Sequence, residues 1–199
     1  GFLQMLGSKP EYRSDSTYFE LMIEELDRAN SIITEYLGMA KDKIVDLQAN
    51  SLDGIITALH PILMSDANLR EMIVRMELSN PPRIRVDERE IRQLIMNMAR
   101  NGMEAMSGGG MLTIGTRLED KGVVLYIKDE GHGLDPVLIE KLGTPFLTTK
   151  ENGTGLGLAV CYSIAARHHA RIDCETGPGG TTFYVRFPLP EQERGYAAG

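Results

Sequence analysis

Four short segments in which apolar and polar residues alternate constrain the fold of this chain more than any other feature. They are residues 111–120 (MLTIGTRLED), 121–130 (KGVVLYIKDE), 170–176 (ARIDCET) and 181–189 (TTFYVRFPL). A period of two places alternate side chains on one face of a half-buried strand. Glycine-containing turns at 120–122 and 177–180 join the members of each pair, which predicts two antiparallel hairpins. The chain is therefore expected to contain a sheet with one apolar face.

Helical periodicity fills most of the remaining chain. Apolar residues that recur every three or four positions predict amphipathic helices. These helices are expected over residues 16–43, 51–65, 87–106 and 156–168. Either Ser16 or Thr17 is expected to cap the first helix, and short strands are expected at 44–48 and 69–77. Helices and antiparallel strands that segregate in this way indicate the α+β class, with helices on one face of a sheet.

The same patterns divide the chain into three parts. Residues 1–43 are expected to form part of a helical hairpin, residues 44–190 a globular domain and residues 191–199 a loose tail. The apolar stripe of the first long helix needs a partner helix, and a lone hairpin buries little apolar surface. Dimerisation into a four-helix bundle is therefore expected.

Charge and composition exclude several classes of function. The net charge of −7 argues against a general nucleic-acid binder, which needs clustered lysines and arginines. The two cysteines lie outside any CxxC pattern, so neither a disulfide framework nor a zinc site is expected. No apolar run approaches the roughly 20 residues of a membrane helix, and no signal peptide is visible. We expect a cytoplasmic fragment without a membrane segment, although the full-length protein could be membrane-anchored.

The helix over residues 87–106 carries an unusual polar face. Its members, spaced by four, four and three residues, are Gln93, Asn97, Asn101 and Glu104. Asparagine is a mediocre helix former, so two asparagines one turn apart on one face need an explanation. A solvated face is the simpler interpretation. The alternative is a ligand site, because an amide oxygen suits Mg²⁺ together with waters and phosphate oxygens.

Two glycine-containing stretches indicate contacts with a nucleotide. Asp129 ends a predicted strand in DEGHG, where its carboxylate can accept a hydrogen bond from an exocyclic amine such as that of adenine. Gly153, Gly155 and Gly157 lead into a predicted helix. The free N–H groups and positive dipole end of that helix suit phosphate, and Lys150 adds a charge. An ordinary turn and a flexible loop are the alternatives, and neither a P-loop nor a dinucleotide-binding fingerprint is present.

The order of the motifs is more specific than any one of them. The asparagine helix, DEGHG, TPFLTTK, NGTGLGL and GGTTF follow one another across about 90 residues. In this order they resemble the ATP-binding domain of the sensor histidine kinases, within the gyrase, chaperone, kinase and mismatch-repair ATPase superfamily (GHKL). The resemblance covers residues 44–190 and implies a Bergerat-type α/β sandwich, a mixed sheet covered by three helices. Residues 1–43 are similar to the second helix of the family's dimerisation hairpin, nearest to sporulation-type kinases.

The resemblance also implies a role for each site residue. Asn101 would hold Mg²⁺ against the phosphates of ATP, with Asn97 beside it, and Lys150 would complete the catalytic set. Asp129 would bind the adenine amine. The other nucleotide contacts that it implies are Gly131, Gly133, Leu134, Gly153, Thr154, Gly155, Leu156, Gly157, Leu158 and Thr181.

The implied activity is transfer of the γ-phosphoryl group of ATP to a histidine of the dimerisation helix, for relay to an aspartate in the receiver domain of a response regulator. Hydrolytic members of the superfamily carry a glutamate one turn before the metal-binding asparagine. This chain has Asn97 there, and an amide cannot act as a general base. A non-catalytic nucleotide-binding and dimerisation module, a superfamily ATPase and a serine-directed kinase are the alternatives.

Two departures from the family pattern stand out. The phosphate acceptor is expected to be missing from this chain, because its histidines lie in other contexts than the dimerisation helix. They are His60, His132, His168 and His169. Gly102 follows Asn101 where the family usually has alanine, at a helix penalty of about 1 kcal/mol.

Overall fold

The computed structural model describes residues 1–7, 9–39, 44–148, 150 and 153–189. The chain divides into two compact units, Gly1–Ala40 and Lys41–Gly199. Within the described residues, no helix has both the length and the apolar character needed to cross a membrane.

The first unit is helical. Helix α1 (Phe2–Gly7) is followed by a 3-10 helix (Pro10–Asp15) and by the longer helix α2 (Ser16–Gly38). The rings of Tyr12 and Phe19 meet edge to face, with their centroids 6.1 Å apart. This contact joins the 3-10 helix to α2.

Helix α2 begins where the periodicity predicts, but the expected cap is wrong. Ser16 and Thr17 already lie inside the helix, and the capping position belongs to Asp15, which makes no side-chain hydrogen bond there. The helix ends at Gly38, and residues 40–43 lie outside the described part of the chain. Several of its large apolar side chains are at least half exposed; they include Leu21, Met22, Leu26, Ile33 and Leu37.

The second unit is built on a mixed sheet. Its strands are β1 (Gln48–Asn50), β2 (Met72–Glu77), β3 (Ile84–Val86), β4 (Gly110–Glu119), β5 (Gly122–Lys128), β6 (Arg171–Gly177) and β7 (Gly180–Pro188). Five of them form the main sheet in the order β2-β4-β5-β7-β6, and β1 pairs with β3 separately. Strands β2 and β4 are parallel, and the other neighbours are antiparallel.

Three helices cover one face of this sheet. The helices of the unit are α3 (Leu52–Asn68), α4 (Glu88–Ala105), the short α5 (Pro136–Ile139) and α6 (Gly157–Arg167). Helix α3 packs on β2 and β4, α4 on β4, β5 and β7, and α6 on β6 and α4. The core between the layers contains fully buried side chains from both, among them Ile56, Leu94, Val160, Leu112, Leu125 and Val185. The predicted α+β class and the sandwich of a mixed sheet under three helices are confirmed.

The longer predicted elements of this unit are confirmed, with ends within three residues of those expected. The strand expected at 44–48 is wrong, because β1 begins only at Gln48. It exists through its pairing with β3, in which Gln48 lies opposite Val86. Neither β3 nor α5 was predicted from the sequence. Elements of three or four residues are too short for a period to be recognised.

Candidate nucleotide-binding site

Helix α4 orients the predicted asparagines. It starts after Asp87, whose Oδ1 accepts hydrogen bonds from the backbone N–H groups of Arg89 (2.9 Å) and Glu90 (3.3 Å). Its apolar face is at most 1% exposed and consists of Ile91, Leu94, Ile95 and Met98. Asn97 and Asn101 lie on a different face, beside α6 and the segment that precedes it.

Asn97 contacts the start of α6. Its Nδ2 donates a hydrogen bond to the backbone carbonyl of Gly157 at 3.2 Å. Its side chain also forms a hydrogen bond with the thiol of Cys161, which by itself would lower the pKa of the thiol. Burial has the larger effect and raises this pKa to about 12. Asn97 therefore connects α4 with the first turn of α6, and its role as a metal neighbour stays a prediction.

Asp129 lies at the end of β5 and is only 4% exposed. Its Oδ1 accepts hydrogen bonds from the backbone N–H groups of Gly131 at 2.8 Å and Thr181 at 3.1 Å. Burial raises the pKa of this carboxyl group, and the two N–H groups partly offset that effect. Both of these hydrogen bonds end on Oδ1 rather than Oδ2.

Gly102 allows α4 to lie close to Asp129. A Cβ atom on residue 102 would lie 2.8 Å from Cδ1 of Leu112 and 3.2 Å from Cβ of Asp129. Alanine would therefore require its neighbours to shift. The sequence indicates only the helix penalty of this glycine, whereas the structure shows that it allows α4 to approach β4 and β5 closely.

Gly131 and Gly133 hold the loop after Asp129 close to its surroundings. A Cβ on Gly131 would lie 2.6 Å from the carbonyl oxygen of Ala105, at the end of α4. Gly133 has a φ of +77°, and a Cβ there would lie 2.2 Å from the carbonyl oxygen of Gly177. Larger residues would push the loop away from α4 and from the β6–β7 hairpin.

Thr176 is a site residue that the sequence analysis missed. Its Oγ1 accepts a hydrogen bond from the backbone N–H of Leu134 at 2.8 Å and lies 3.0 Å from Oγ1 of Thr181. It thus ties the loop after Asp129 to the side chain of Thr181. No sequence signal distinguishes Thr176 from other strand threonines, because its role depends on a loop more than 40 residues away.

The predicted phosphate-binding segment leads into α6. This helix has no side-chain cap and no acidic residue in its first turn, so its positive end is available for an anion. Gly155 has a φ of +67°, and a Cβ there would lie 2.5 Å from the backbone carbon of Phe146. The Oγ1 atom of Thr154 accepts a hydrogen bond from the N–H of Leu156 at 3.3 Å. Leu158 lies within the first turn of α6.

Lys150 reaches back to α4. Its Nζ lies 3.4 Å from Oδ1 of Asn101 and forms an ion pair with the carboxylate of Glu104. Gly157 is also close, since a Cβ there would lie 3.9 Å from Nδ2 of Asn101. Asn101, Lys150 and the first turn of α6 therefore adjoin one another, and Asp129 lies beside Gly102, the residue after Asn101. We call the space beside these residues the cleft.

The opposite ends of α4 and α6 carry a buried polar cluster. Arg167 binds the carboxylate of Glu90 through two hydrogen bonds of 2.9 and 3.0 Å, and the two side chains are 9% and 2% exposed. Nε2 of His168 accepts a hydrogen bond from the N–H of Asp87 at 3.0 Å. Its Nδ1 must then carry the proton, which it donates to the carbonyl of Ile164 at 2.8 Å. Nothing in the sequence alone indicates that His168 has a structural role.

The model of the family described as histidine kinase-, DNA gyrase B-, and HSP90-like ATPase matches residues 86–191. The chain belongs to this family. The match contains all of the predicted site residues, from Asn97 to Thr181. Membership of an ATPase family supports ATP as the ligand of the cleft.

Individual proteins of this family are similar over most of the chain. Sporulation kinase D of Bacillus subtilis (strain 168) is 35% identical over 192 residues, which are 95% of this chain and 38% of that protein. Sensor histidine kinase ZraS of Escherichia coli (strain K12) is 31% identical over 85% of this chain and 37% of its own length. This chain thus spans well under half of these two relatives.

A solved structure has a similar fold. The catalytic domain of histidine kinase ThkA superposes with a TM-score of 0.66 at 26% identity, over 72% of this chain and 96% of that domain. The similarity agrees with the five-stranded sheet and its three helices.

Proposed function

We propose that residues 44–190 bind Mg²⁺-ATP in the cleft beside α4 and α6 and donate the γ-phosphoryl group to a histidine. The acceptor would lie on a dimerisation helix, and an aspartate of a response regulator would receive the group next. The observation that carries this proposal is that α4 lies against Asp129 at Gly102 and bonds the first turn of α6 through Asn97. The names of the relatives, a sporulation kinase and a sensor histidine kinase, support a kinase rather than another ATPase.

The residues of the cleft fit a bound magnesium ion. Oδ1 of Asn101 is a hard oxygen donor that already faces a cation, the ammonium group of Lys150. Within the described residues, no group of three or more His, Cys, Asp or Glu side chains could hold a metal. Phosphate oxygens and waters would therefore complete the shell, as Mg²⁺ prefers. When bound, the ion would neutralise charge on the phosphates.

The remaining groups of the cleft would position the nucleotide. Oδ2 of Asp129 would accept a hydrogen bond from the adenine amine, while Oδ1 stays fixed by Gly131 and Thr181. The uncapped first turn of α6 would bind the phosphates through its N–H groups. Phosphoryl transfer depends mainly on positioning and charge neutralisation. These residues supply both without a general base.

Asn97 favours transfer to a protein acceptor over hydrolysis. A hydrolase needs a base within reach of the attacking water. The Asn97 amide is no base, and its Nδ2 is bound to Gly157. We therefore propose that an imidazole nitrogen attacks the γ-phosphorus, so that an N–P bond forms as the P–O bond to ADP breaks.

We also propose that residues 1–43 contribute to a homodimer in the cytoplasm. Several large apolar side chains of α2 are at least half exposed in the single chain, among them Leu26 at 56% and Ile33 at 57%. A second copy would bury this stripe in a four-helix bundle. Sedimentation analysis would find a dimer, and Ile33→Glu would shift it to monomer. A monomeric wild type would contradict this arrangement.

The test of the catalytic proposal combines two readouts. The chain is incubated with Mg²⁺ and γ-labelled ATP, and bound label and released phosphate are measured together. Asn101→Ala should weaken binding by about ten- to a hundredfold, because it removes a contact to a charged group. Asn30→Ala is the matched control, since Asn30 is an exposed helical asparagine in the other unit. It should leave binding unchanged.

The wild-type readouts separate the alternatives. Binding that depends on Asn101, with very slow release of phosphate, supports a kinase. Rapid release would instead indicate an ATPase. No binding at all would indicate a degenerate module that keeps the fold without binding nucleotide.

A further inference from the structure

Glu104 lies on the cleft face of α4, and the proposed function leaves it without a role. Its carboxylate pairs with the ammonium group of Lys150, whose Nζ also lies 3.4 Å from Oδ1 of Asn101. We propose that Glu104 is a positioning residue, which holds Lys150 against Asn101 in the nucleotide-free protein and releases it to the phosphates when nucleotide binds. This proposal rests on the function proposed above.

The helix geometry explains why Glu104 can hold the lysine there. Residues three apart are neighbours on one helix surface, so Glu104 and Asn101 present two oxygens to the same point. Lys150 arrives from the segment before α6, which Gly153 closes by donating its N–H to the carbonyl of Lys150 at 3.2 Å. The ammonium group therefore stands between a carboxylate and an amide oxygen.

This position makes Lys150 a competitor of the incoming cation. Oδ1 of Asn101 is the oxygen proposed to bind Mg²⁺. An ammonium group and a metal ion cannot both bind the same side of this oxygen. Binding of Mg²⁺-ATP must therefore move Lys150 away from Asn101. The phosphates then replace the carboxylate of Glu104 as the anionic partner of Lys150.

The exposure of the Lys150–Glu104 ion pair sets how strongly it can change the affinity for Mg²⁺-ATP. The side chains of Lys150 and Glu104 are 40% and 32% exposed, so solvent screens their attraction. Exposed ion pairs of this kind shift equilibria by about two- to fivefold. The pair is thus strong enough to order the lysine and weak enough for a triphosphate to open it.

A double-mutant cycle tests the competition. Affinity for Mg²⁺-ATP is measured for wild type, Glu104→Gln, Lys150→Gln and the double variant. Glu104→Gln should tighten binding by about two- to fivefold when Lys150 is present and have no effect in the Lys150→Gln background. Glu104→Asp, which keeps the charge, should return affinity toward wild type.

Glu88→Gln is the matched control for charge. Glu88 is an exposed glutamate on the same helix, paired with Arg92 at the opposite end. Its replacement should leave affinity unchanged. Weaker binding by Glu104→Gln, or an equal change in both Lys150 backgrounds, would mean that Glu104 meets the nucleotide directly and would overturn the proposal.

A second readout needs no nucleotide. Trypsin must take the lysine side chain into its own pocket, so cleavage after Lys150 requires the pair to open. Glu104→Gln should speed this cleavage about two- to fivefold relative to cleavage after the exposed Lys141. An unchanged ratio would overturn the proposal. If wild type binds no ATP, the proposed function fails, while this digestion still decides whether Glu104 holds Lys150.

Discussion

Helices α4 and α6 run antiparallel, and the contacts between them differ from one end to the other. At what we call the closed end, Arg167 binds Glu90 in a bidentate ion pair that is almost fully buried. At what we call the open end, Asn97 makes one hydrogen bond to the carbonyl of Gly157. At the closed end, polar groups are paired with other side chains of the protein, whereas at the open end polar groups remain that can bind a ligand.

The two helix starts show the same difference. The N-terminus of α4, at the closed end, is capped by Asp87. Although burial raises the pKa of Asp87, hydrogen bonds from the N–H groups of Asp46, Glu90 and Arg89 outweigh it and lower the pKa. The N-terminus of α6, at the open end, has no side-chain cap. A helix pair fixed firmly at one end can tolerate an unsatisfied, glycine-rich start at the other.

The largest effect is expected at the closed end. Arg167→Leu would leave the carboxylate of Glu90, 2% exposed, without its bidentate cation. Removing one partner of a buried pair costs about 3–5 kcal/mol. Urea unfolding should report a loss of this size, while the folded fraction keeps its ATP affinity within about twofold, because Arg167 lies at the other end of α6 from the cleft.

The control for this variant is Arg92→Leu. Arg92 pairs with Glu88 on the surface, where both side chains are at least 36% exposed, so stability should change by less than about 1 kcal/mol. If Arg167→Leu were as mild as its control, the closed end would not be the stabilising one.

A smaller effect is expected from Gly155→Ala at the open end. Gly155 has a φ of +67°, and its Cβ would lie 2.5 Å from the backbone of Phe146. A left-handed conformation costs an alanine about 1–2 kcal/mol, and the segment would relieve that strain by moving away from the cleft. Calorimetric titration should show ATP affinity reduced by about fivefold or more, with the midpoint of urea unfolding nearly unchanged.

Gly108→Ala separates this local effect from backbone strain in general. Gly108 has a φ of +74°, but among the described residues no heavy atom beyond its two chain neighbours lies within 4 Å of the position of its Cβ. The variant carries similar strain outside the cleft, so ATP affinity should stay within about twofold of wild type. Equal losses of affinity in both variants would remove the distinction between the open end and any other strained turn.

The sequence predicts the open end better than the closed one, for a physical reason. Asn101 and Asp129 stand in local motifs, and their residue types are unusual for a helix interior and a strand end. His168 and Thr176 act only through groups far along the chain, the N–H of Asp87 and that of Leu134. A single sequence contains no trace of such contacts.

The elements of the fold were also predicted where their pattern is local and missed where they depend on distant residues. Strands β4 to β7 and the three longer helices of the second unit have periods that can be read locally. Strands β1 and β3 have three residues each and exist because they pair with one another. The cap of α2 was wrong because serine and threonine also occur inside first turns, which local preference cannot resolve.

The smallest effect concerns the proton of Asp129. Burial raises the pKa of this carboxyl group above its ordinary value of about 3.9. Oδ2 accepts a hydrogen bond from the adenine amine at full strength only when the carboxyl group is ionised. ATP affinity should therefore begin to fall, as the pH is lowered, at a higher pH than an ordinary aspartate would cause. Fluorescence titrations between pH 7 and pH 4.5 would follow it, with a change smaller than that of Gly155→Ala.

Asp129→Asn is the control, because it keeps the shape of the side chain without the proton. Dividing the wild-type affinity by that of the variant at each pH cancels the titration of the nucleotide phosphates. A ratio that is independent of pH would show that Asp129 does not bind the amine as a carboxylate.

The contribution of Asp129 to the stability of the free protein changes with pH in the opposite direction to its contribution to ATP affinity. A group whose pKa is raised in the folded state stabilises the fold fully below its unfolded pKa, and this contribution is lost as the pH rises through the folded pKa. At neutral pH the empty cleft therefore contains a carboxylate that the fold would hold more easily when protonated. The adenine amine offsets this cost, so nucleotide should raise the urea midpoint of wild type more than that of Asp129→Asn, and more at pH 7 than at pH 5.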